Sequence, residues 1–116
     1  MTFSLVCREP ATGALAVATA TGMPAVGGFD PHSPADARTI ATQGISTNRL
    51  YGADGLELPA RGWPAQDAIA APTRRDRGRD WRQCLMIDAE GRTAAYTGGK
   101  NEPCSPRSWR IGNTTA

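Results

Sequence analysis

Twice between Thr2 and Thr21 the chain alternates large apolar residues with small or polar ones, on either side of the turn-forming tetrapeptide Pro10-Ala11-Thr12-Gly13. A period of two, broken by a short Pro…Gly segment, constrains this stretch to a β-hairpin. Phe3, Leu5 and Cys7 fall on one face of the first strand, and Thr2, Ser4 and Val6 on the other. The second strand is expected over 14–21. Ala14, Ala16, Ala18 and Ala20 line one of its faces, and Leu15, Val17 and Thr19 line the other. Gly13 is expected to take the positive φ that hairpin loops need. The alanine stripe leaves room for close approach, most simply by a packed helix.

Further along, residues 25–29 read as a short third strand, 30–36 as a loop and 38–43 as a fourth strand. A turn over 48–52 leads into a helix expected over 54–60. Gly62 and Pro64 separate it from a second helix over 65–71, with Pro64 suited to its first position. Residues 72–80 read as a charged loop. Residues 81–88 and 93–97 form a second hairpin around Ala89-Glu90-Gly91-Arg92. Strands, then two short helices, then strands again predict an α+β layered domain whose antiparallel sheet is built on hairpins 3–21 and 81–97. Beyond Gly99 the periodicity ends.

At 116 residues the chain can hold one domain. Its net charge of +2 is too mild to argue for nucleic acid. The one basic cluster, Arg74, Arg75, Arg77, Arg79 and Arg82 around Trp81, is interrupted by Asp76 and Asp80 and reads as a solvated loop. With no long apolar run, no membrane partner is expected. No basic-then-apolar leader opens the chain, so the expected location is cytoplasmic. Arginine supplies 12 of the 13 basic residues, which reads as GC-rich, bacterial coding. Cys7, Cys84 and Cys104 contain no C-x-x-C pair, and the one histidine, His32, has no ligand partner at metal spacing. Neither a metal nor any other cofactor is expected. Cys7 and Cys84 are expected to pack as small apolar residues, and Trp63, Trp81 and Trp109 to serve as core or interface anchors.

The chemically most suggestive residue is Thr2. A small residue after Met1 favours removal of the methionine. Thr2 would then carry a hydroxyl and a free α-amine, a self-activating nucleophile whose base titrates near ~8. Ser4 shares its face. Gly27, Gly28 and Gly44 are candidates for exposed backbone donors, because glycine lets a ligand approach the main chain. Asn48 and Tyr51 are candidates for a pocket border. Each also has a plainer reading: the glycines as tight turns, Asn48 and Tyr51 as turn and cap residues, and Thr2 as an ordinary strand residue.

The segments TFSLVCREPATGALAVATAT, PAVGGF, IATQG, STNRLYGADGLEL, GWPAQDAIAA, DRGRDWRQCLMIDAEGRTAAYTG and NEP, in this order from Met1 to about Pro103, resemble the family catalogued as domain of unknown function 1028. That family is similar in fold to the N-terminal nucleophile (Ntn) hydrolases, in which helical layers sandwich two antiparallel sheets. The resemblance implies an Ntn-hydrolase-like αββα domain over 1–103, left incomplete, and a divergent irregular tail over 104–116. Family members continue into helices that complete the outer layers, so this chain is expected to be a truncated copy. The resemblance places the nucleophile at Thr2 and implies hydrolysis of a small-molecule or peptide amide. Threonine enzymes of this type use a lysine from a neighbouring strand, and none stands near Thr21-Gly22-Met23. The alternative is a non-catalytic binding or self-associating subunit of the same fold, a homo-oligomer, or an inactive remnant.

Overall fold

The computed structural model describes residues 2–22, 38–44, 46–52 and 63–101. The expected strand at 25–29, the helix expected at 54–60, Gly27, Gly28, His32, Cys104, Trp109 and the tail lie outside them. The elements are β1 (Thr2–Arg8), β2 (Leu15–Thr21), β3 (Arg38–Gln43), α1 (Ala65–Arg75), a 3-10 turn (Arg79–Trp81), β4 (Gln83–Asp88) and β5 (Thr93–Thr97). Residues 50–52 are also helical. This is an α+β fold with antiparallel sheets.

β1 and β2 form the expected hairpin, in register from Thr2 opposite Thr21 to Arg8 opposite Leu15. Gly13 takes φ 75° as expected. The turn is closed by Gly13 N–H to the Glu9 carbonyl at 2.9 Å, and the Glu9 carboxylate accepts the Thr12 N–H at 2.6 Å. A second, three-stranded sheet has the order β3-β4-β5. β1 lies against β3 and β4, and β2 against β3, so the hairpin stacks on one face of this sheet while α1 covers the other over β4 and β5.

Register and the alternation of side chains assign the faces. Ile40, Cys84, Met86, Ala94 and Tyr96 point toward α1. There they meet Ala65, Ala68 and Ile69 and the buried Tyr51 in a single apolar cluster. The buried positions of α1 are Ala65, Ala68, Ile69, Pro72 and Thr73, a spacing of three and four that makes one helical stripe. Its alanines let the helix axis approach the sheet. Thr39, Ala41, Gln43, Gln83, Leu85 and Ile87 face the hairpin, across from Thr2, Ser4, Val6, Val17 and Thr19.

Five expectations need correction. The helix does not stop at residue 71 but runs through Pro72 to Arg75. Pro72 is buried in the helix's packed stripe, and the Thr73 hydroxyl donates back to the Ile69 carbonyl at 2.8 Å, so tertiary packing outweighs the one lost N–H. Pro64 is extended at ψ 151° and stands just before the helix, while the Asp88 carboxylate accepts the Ala65 N–H. The second hairpin begins at Gln83 rather than 81, because Arg79–Trp81 form the 3-10 turn. Trp63 and Trp81 are 39% and 41% exposed and anchor no core.

The alanine stripe brings the fifth correction. Ala16, Ala18 and Ala20 lie opposite Cys7, Leu5 and Phe3 on the outer face of the hairpin, and among the described residues no helix packs there. Phe3 and Leu5 are 64% and 58% exposed, and Cys7 is exposed with them. Cys84, in contrast, is buried as expected, and burial pushes its thiol up to about 12.

Candidate active site

The strand directions bring one set of ends together. The start of β1, the ends of β2, β3 and β5, and the start of β4 all meet at the same end of the stacked sheets. Thr2, Thr21, Gln43, Gln83 and Thr97 occupy those ends. The hairpin covers β3 and β4 but not β5, whose Thr93, Ala95 and Thr97 remain half-buried on that side.

Thr2 is half-buried, and its Oγ1 lies 2.7 Å from Thr21 Oγ1. One residue pair further in, a chain of side-chain hydrogen bonds crosses between the sheets. Ser4 Oγ donates to Gln43 Oε1 at 2.9 Å, Gln43 Nε2 donates to Gln83 Oε1 at 2.7 Å, and Gln83 Nε2 donates to Thr97 Oγ1 at 3.1 Å. Ser4 has one proton and gives it to Gln43, so Thr19 must be the donor in the 2.9 Å Ser4–Thr19 contact. The donors therefore point one way, Thr19 to Ser4 to Gln43 to Gln83 to Thr97. Each link satisfies a polar group between sheets that would otherwise be costly to bury. Gln43 and Gln83 were not singled out in the sequence. The available signal is that both sit on strand faces whose neighbours, Ala41 and Leu85, are apolar.

The site residues expected from sequence separate into two groups. Thr2 and Ser4 share the inter-sheet face, and Gly44 follows directly on Gln43. Gly44 has φ 135°, and a Cβ there would collide with the Trp81 carbonyl oxygen, so both its backbone shape and its surroundings require glycine. Asn48 and Tyr51 are not part of this group. They point to Asp76, which accepts from Asn48 Nδ2 at 3.1 Å, Tyr51 Oη at 2.8 Å, Arg82 Nε at 3.1 Å and the Gly78 N–H at 2.7 Å. Burial alone pushes the Asp76 carboxyl up, but these four donors overcome it and hold it at about 2. Burial, reinforced by Asp76, pushes the Tyr51 hydroxyl well above its ordinary range. Arg82 in turn reaches Ser46, donating to its carbonyl and hydroxyl, and Asn101 Nδ2 donates to the Arg82 carbonyl. This knot pins the segment after Gly44 to the start of β4.

No charged side chain enters the chain of hydroxyls and amides at Thr2, as far as the described residues go. Arg8 is at the far end of the hairpin, donating to the Ala89 carbonyl at 2.7 Å. Arg38 is buried at the far end of β3, donating to the Trp63 carbonyl. Among the described residues the Thr2 hydroxyl is bonded to the Thr21 hydroxyl. No group of His, Cys, Asp and Glu that could hold a metal ion occurs among the described residues, and no helix there is long and apolar enough to cross a membrane.

The model for a family of unknown function, DUF1028, matches residues 2–114. The chain is also similar to the crystal structure of a DUF1028 protein from Silicibacter pomeroyi, at 36% identity with a TM-score of 0.84. The match covers 87% of this chain and 45% of that one, so the chain spans less than half the length of that protein. No curated protein matches.

Proposed function

Because the chain belongs to the family of unknown function DUF1028, we propose that it is an amide-bond hydrolase of N-terminal-nucleophile type, acting through Thr2. The observation that carries the reading is the Thr2 hydroxyl, half-buried where the ends of two stacked antiparallel sheets meet and 2.7 Å from a second hydroxyl. In this reading the sheets are the inner layers of an αββα domain over 1–103, with 104–116 as its tail. The substrate is a small-molecule or peptide amide, and the location is cytoplasmic.

The chemistry needs Met1 removed. The freed α-amine then takes the proton from Oγ1 as the oxygen attacks the amide carbonyl carbon. The oxyanion that forms is met by backbone N–H groups, with Gly27, Gly28 and Gly44 as the candidates. The ammonium returns its proton to the departing amine, leaving an ester on Thr2, and water hydrolyses that ester by the same proton route. Ser4 is a positioning residue rather than a nucleophile, since its proton is committed to Gln43. The test is the intact mass of the purified protein before and after a β-lactone. Loss of Met1 with one adduct at Thr2 supports the reading. Retained Met1, or an unlabelled Thr2 in folded protein, overturns it.

One observation favours a second reading, a non-catalytic, self-associating subunit of the same fold. Phe3, Leu5 and Cys7 stand exposed beside Ala16, Ala18 and Ala20 on one sheet face. Concentration-dependent self-association that Leu5→Asp abolishes, in protein whose Thr2 stays unlabelled, would favour it over hydrolysis.

A further inference from the structure

We propose that the ligand drawn to the Thr2 end of the molecule is an acidic one, a carboxylate-bearing peptide, received by a cationic rim of Arg74, Arg75, Arg77, Arg79 and Lys100. The carboxylate class stands on the rim itself. That its amide is the bond offered to Thr2 rests on the hydrolase reading above.

The sequence alone argues against such a surface, because Asp76 and Asp80 interrupt the arginines. The folded chain changes the balance in three ways. First, Asp76 is turned inward. It is held by Tyr51, Asn48, the Gly78 N–H and an ion pair with Arg82 at 3.1 Å, so its charge is neutralised locally. Second, Lys100 joins the cluster from the segment after β5. Its N–H donates to the Asp80 carbonyl at 2.9 Å, and its ammonium lies 5.3 Å from the centre of the exposed Trp81 ring. Third, Arg74, Arg75, Arg77, Arg79 and Lys100 are all exposed, and none pairs with a carboxylate among the described residues. Five unpaired cations then stand against Asp80, the one acid of this stretch outside that knot.

Topology sets where this charge lies. Asp88, at the far end of β4, accepts the N–H of the first residue of α1, so the helix starts at the end opposite Thr2 and finishes at the Thr2 end. Arg74 and Arg75 are in its last turn. Arg77 and Arg79 lie between that turn and Gln83, and Lys100 follows Thr97 by three residues. Ser46 is bonded to this region through its N–H, which donates to the Trp81 carbonyl. The basic segment thus lies at the same end of the stacked layers as the converging hydroxyls, on the α1 side of the β3–β5 sheet. The forked guanidinium donors suit carboxylates, and a one-sign rim raises the local concentration of an oppositely charged substrate. A peptide uses several such cations at once and already contains the amide bonds that the chemistry at Thr2 requires.

The test is fluorescence anisotropy of a fluorescein-labelled hexaglutamate peptide at low salt. The wild-type protein, the double variant Arg77→Gln/Arg79→Gln and Arg8→Gln are compared. The proposal expects binding that weakens as salt is added, falls about tenfold in the double variant, and is unchanged in Arg8→Gln. No binding by the wild type, or an equal loss in Arg8→Gln, overturns it. The two readings fail separately. Peptide binding without a β-lactone adduct leaves the acidic-ligand site and removes the nucleophile. An adduct without peptide binding keeps the nucleophile and removes the acidic ligand.

Discussion

The two sheets of this chain follow opposite rules. The three-stranded sheet carries α1 over β4 and β5 on one face and the hairpin over β3 and β4 on the other, and all six residues of β3 are buried, polar ones included. The hairpin is covered on one side only, and its side chains alternate strictly between half-buried and exposed. The hairpin is held by its inward-facing side chains and by the Ser4–Gln43 and Arg8–Ala89 hydrogen bonds. The comparison teaches that the stable part of the molecule and its candidate chemistry are on different elements. Rigidity comes from the β3–β5 sheet and α1, whereas Thr2 and Ser4 belong to the sheet with less to bury.

Substitutions can break or sharpen that contrast. The largest effect is expected from Met86→Ala, which empties a fully buried position between the sheet and α1. It should cost about 2–5 kcal/mol in chemical denaturation. A loss no greater than that of a surface substitution would mean the sheet is not the stable half. Next is Asp76→Ala, which leaves Tyr51, Asn48 and Arg82 without their shared acceptor. A loss of roughly 3 kcal/mol is expected, read in the same way.

Acid should reveal the same knot. The Asp76 carboxyl is depressed from 3.8 to about 2, so the folded state binds fewer protons there than the unfolded state. Its contribution is complete above about pH 4 and is lost as pH falls toward 2, amounting to about 2 kcal/mol. Denaturation midpoints measured between pH 6 and 2 should fall less steeply in Asp76→Asn than in the wild type. Asp88 moves in the same direction. Burial pushes its carboxyl up, but Arg92 Nε at 2.7 Å and the Arg92 N–H at 2.8 Å bring it below the ordinary range. Some acid sensitivity therefore remains in the Asp76 variant.

Ser4→Ala removes the link from the hairpin to Gln43 and should cost about 1 kcal/mol. Amide exchange should accelerate in β1 and β2 more than in β4. Uniform acceleration would mean that the two sheets open as one unit. The smallest effect is expected from Leu5→Ser on the outer face of the hairpin, within about 0.5 kcal/mol of wild type. A loss comparable to that of Met86→Ala would show that this face is covered, which would remove the contrast between the sheets.

Much of the architecture was legible along the chain because it depends on neighbours a few residues apart. The alternation of Phe3, Leu5 and Cys7 against Thr2, Ser4 and Val6, the turn at Gly13 and the hairpin around Gly91 all follow from local backbone preference. The run past Pro72 was not legible, because the proline rule is local while the burial that overrides it comes from β4 and β5. Thr2 and Ser4 were read as candidate catalytic residues and Gly44, with Gly27 and Gly28, as a candidate backbone donor, and the fold brings Thr2, Ser4 and Gly44 to one end. Asn48 and Tyr51 were read as a pocket border. Both donate to Asp76, across 28 and 25 positions that no motif connects. Gln43 and Gln83 went unnoticed for the same reason. A glutamine in a strand looks solvent-facing until the opposing sheet is in place.

The sequence by itself therefore determined the strands, their turns, which side chains share a face, and the threonine that begins the first strand. These follow from periodicity and turn chemistry, which act within a single element. Stacking of the elements settles which face of the hairpin is covered, that Asp76 is turned inward onto Tyr51, Asn48 and Arg82, and that five strand ends meet where Thr2 stands. Those outcomes depend on burial and on hydrogen bonds between distant residues, and both exist only once the sheets and the helix are stacked.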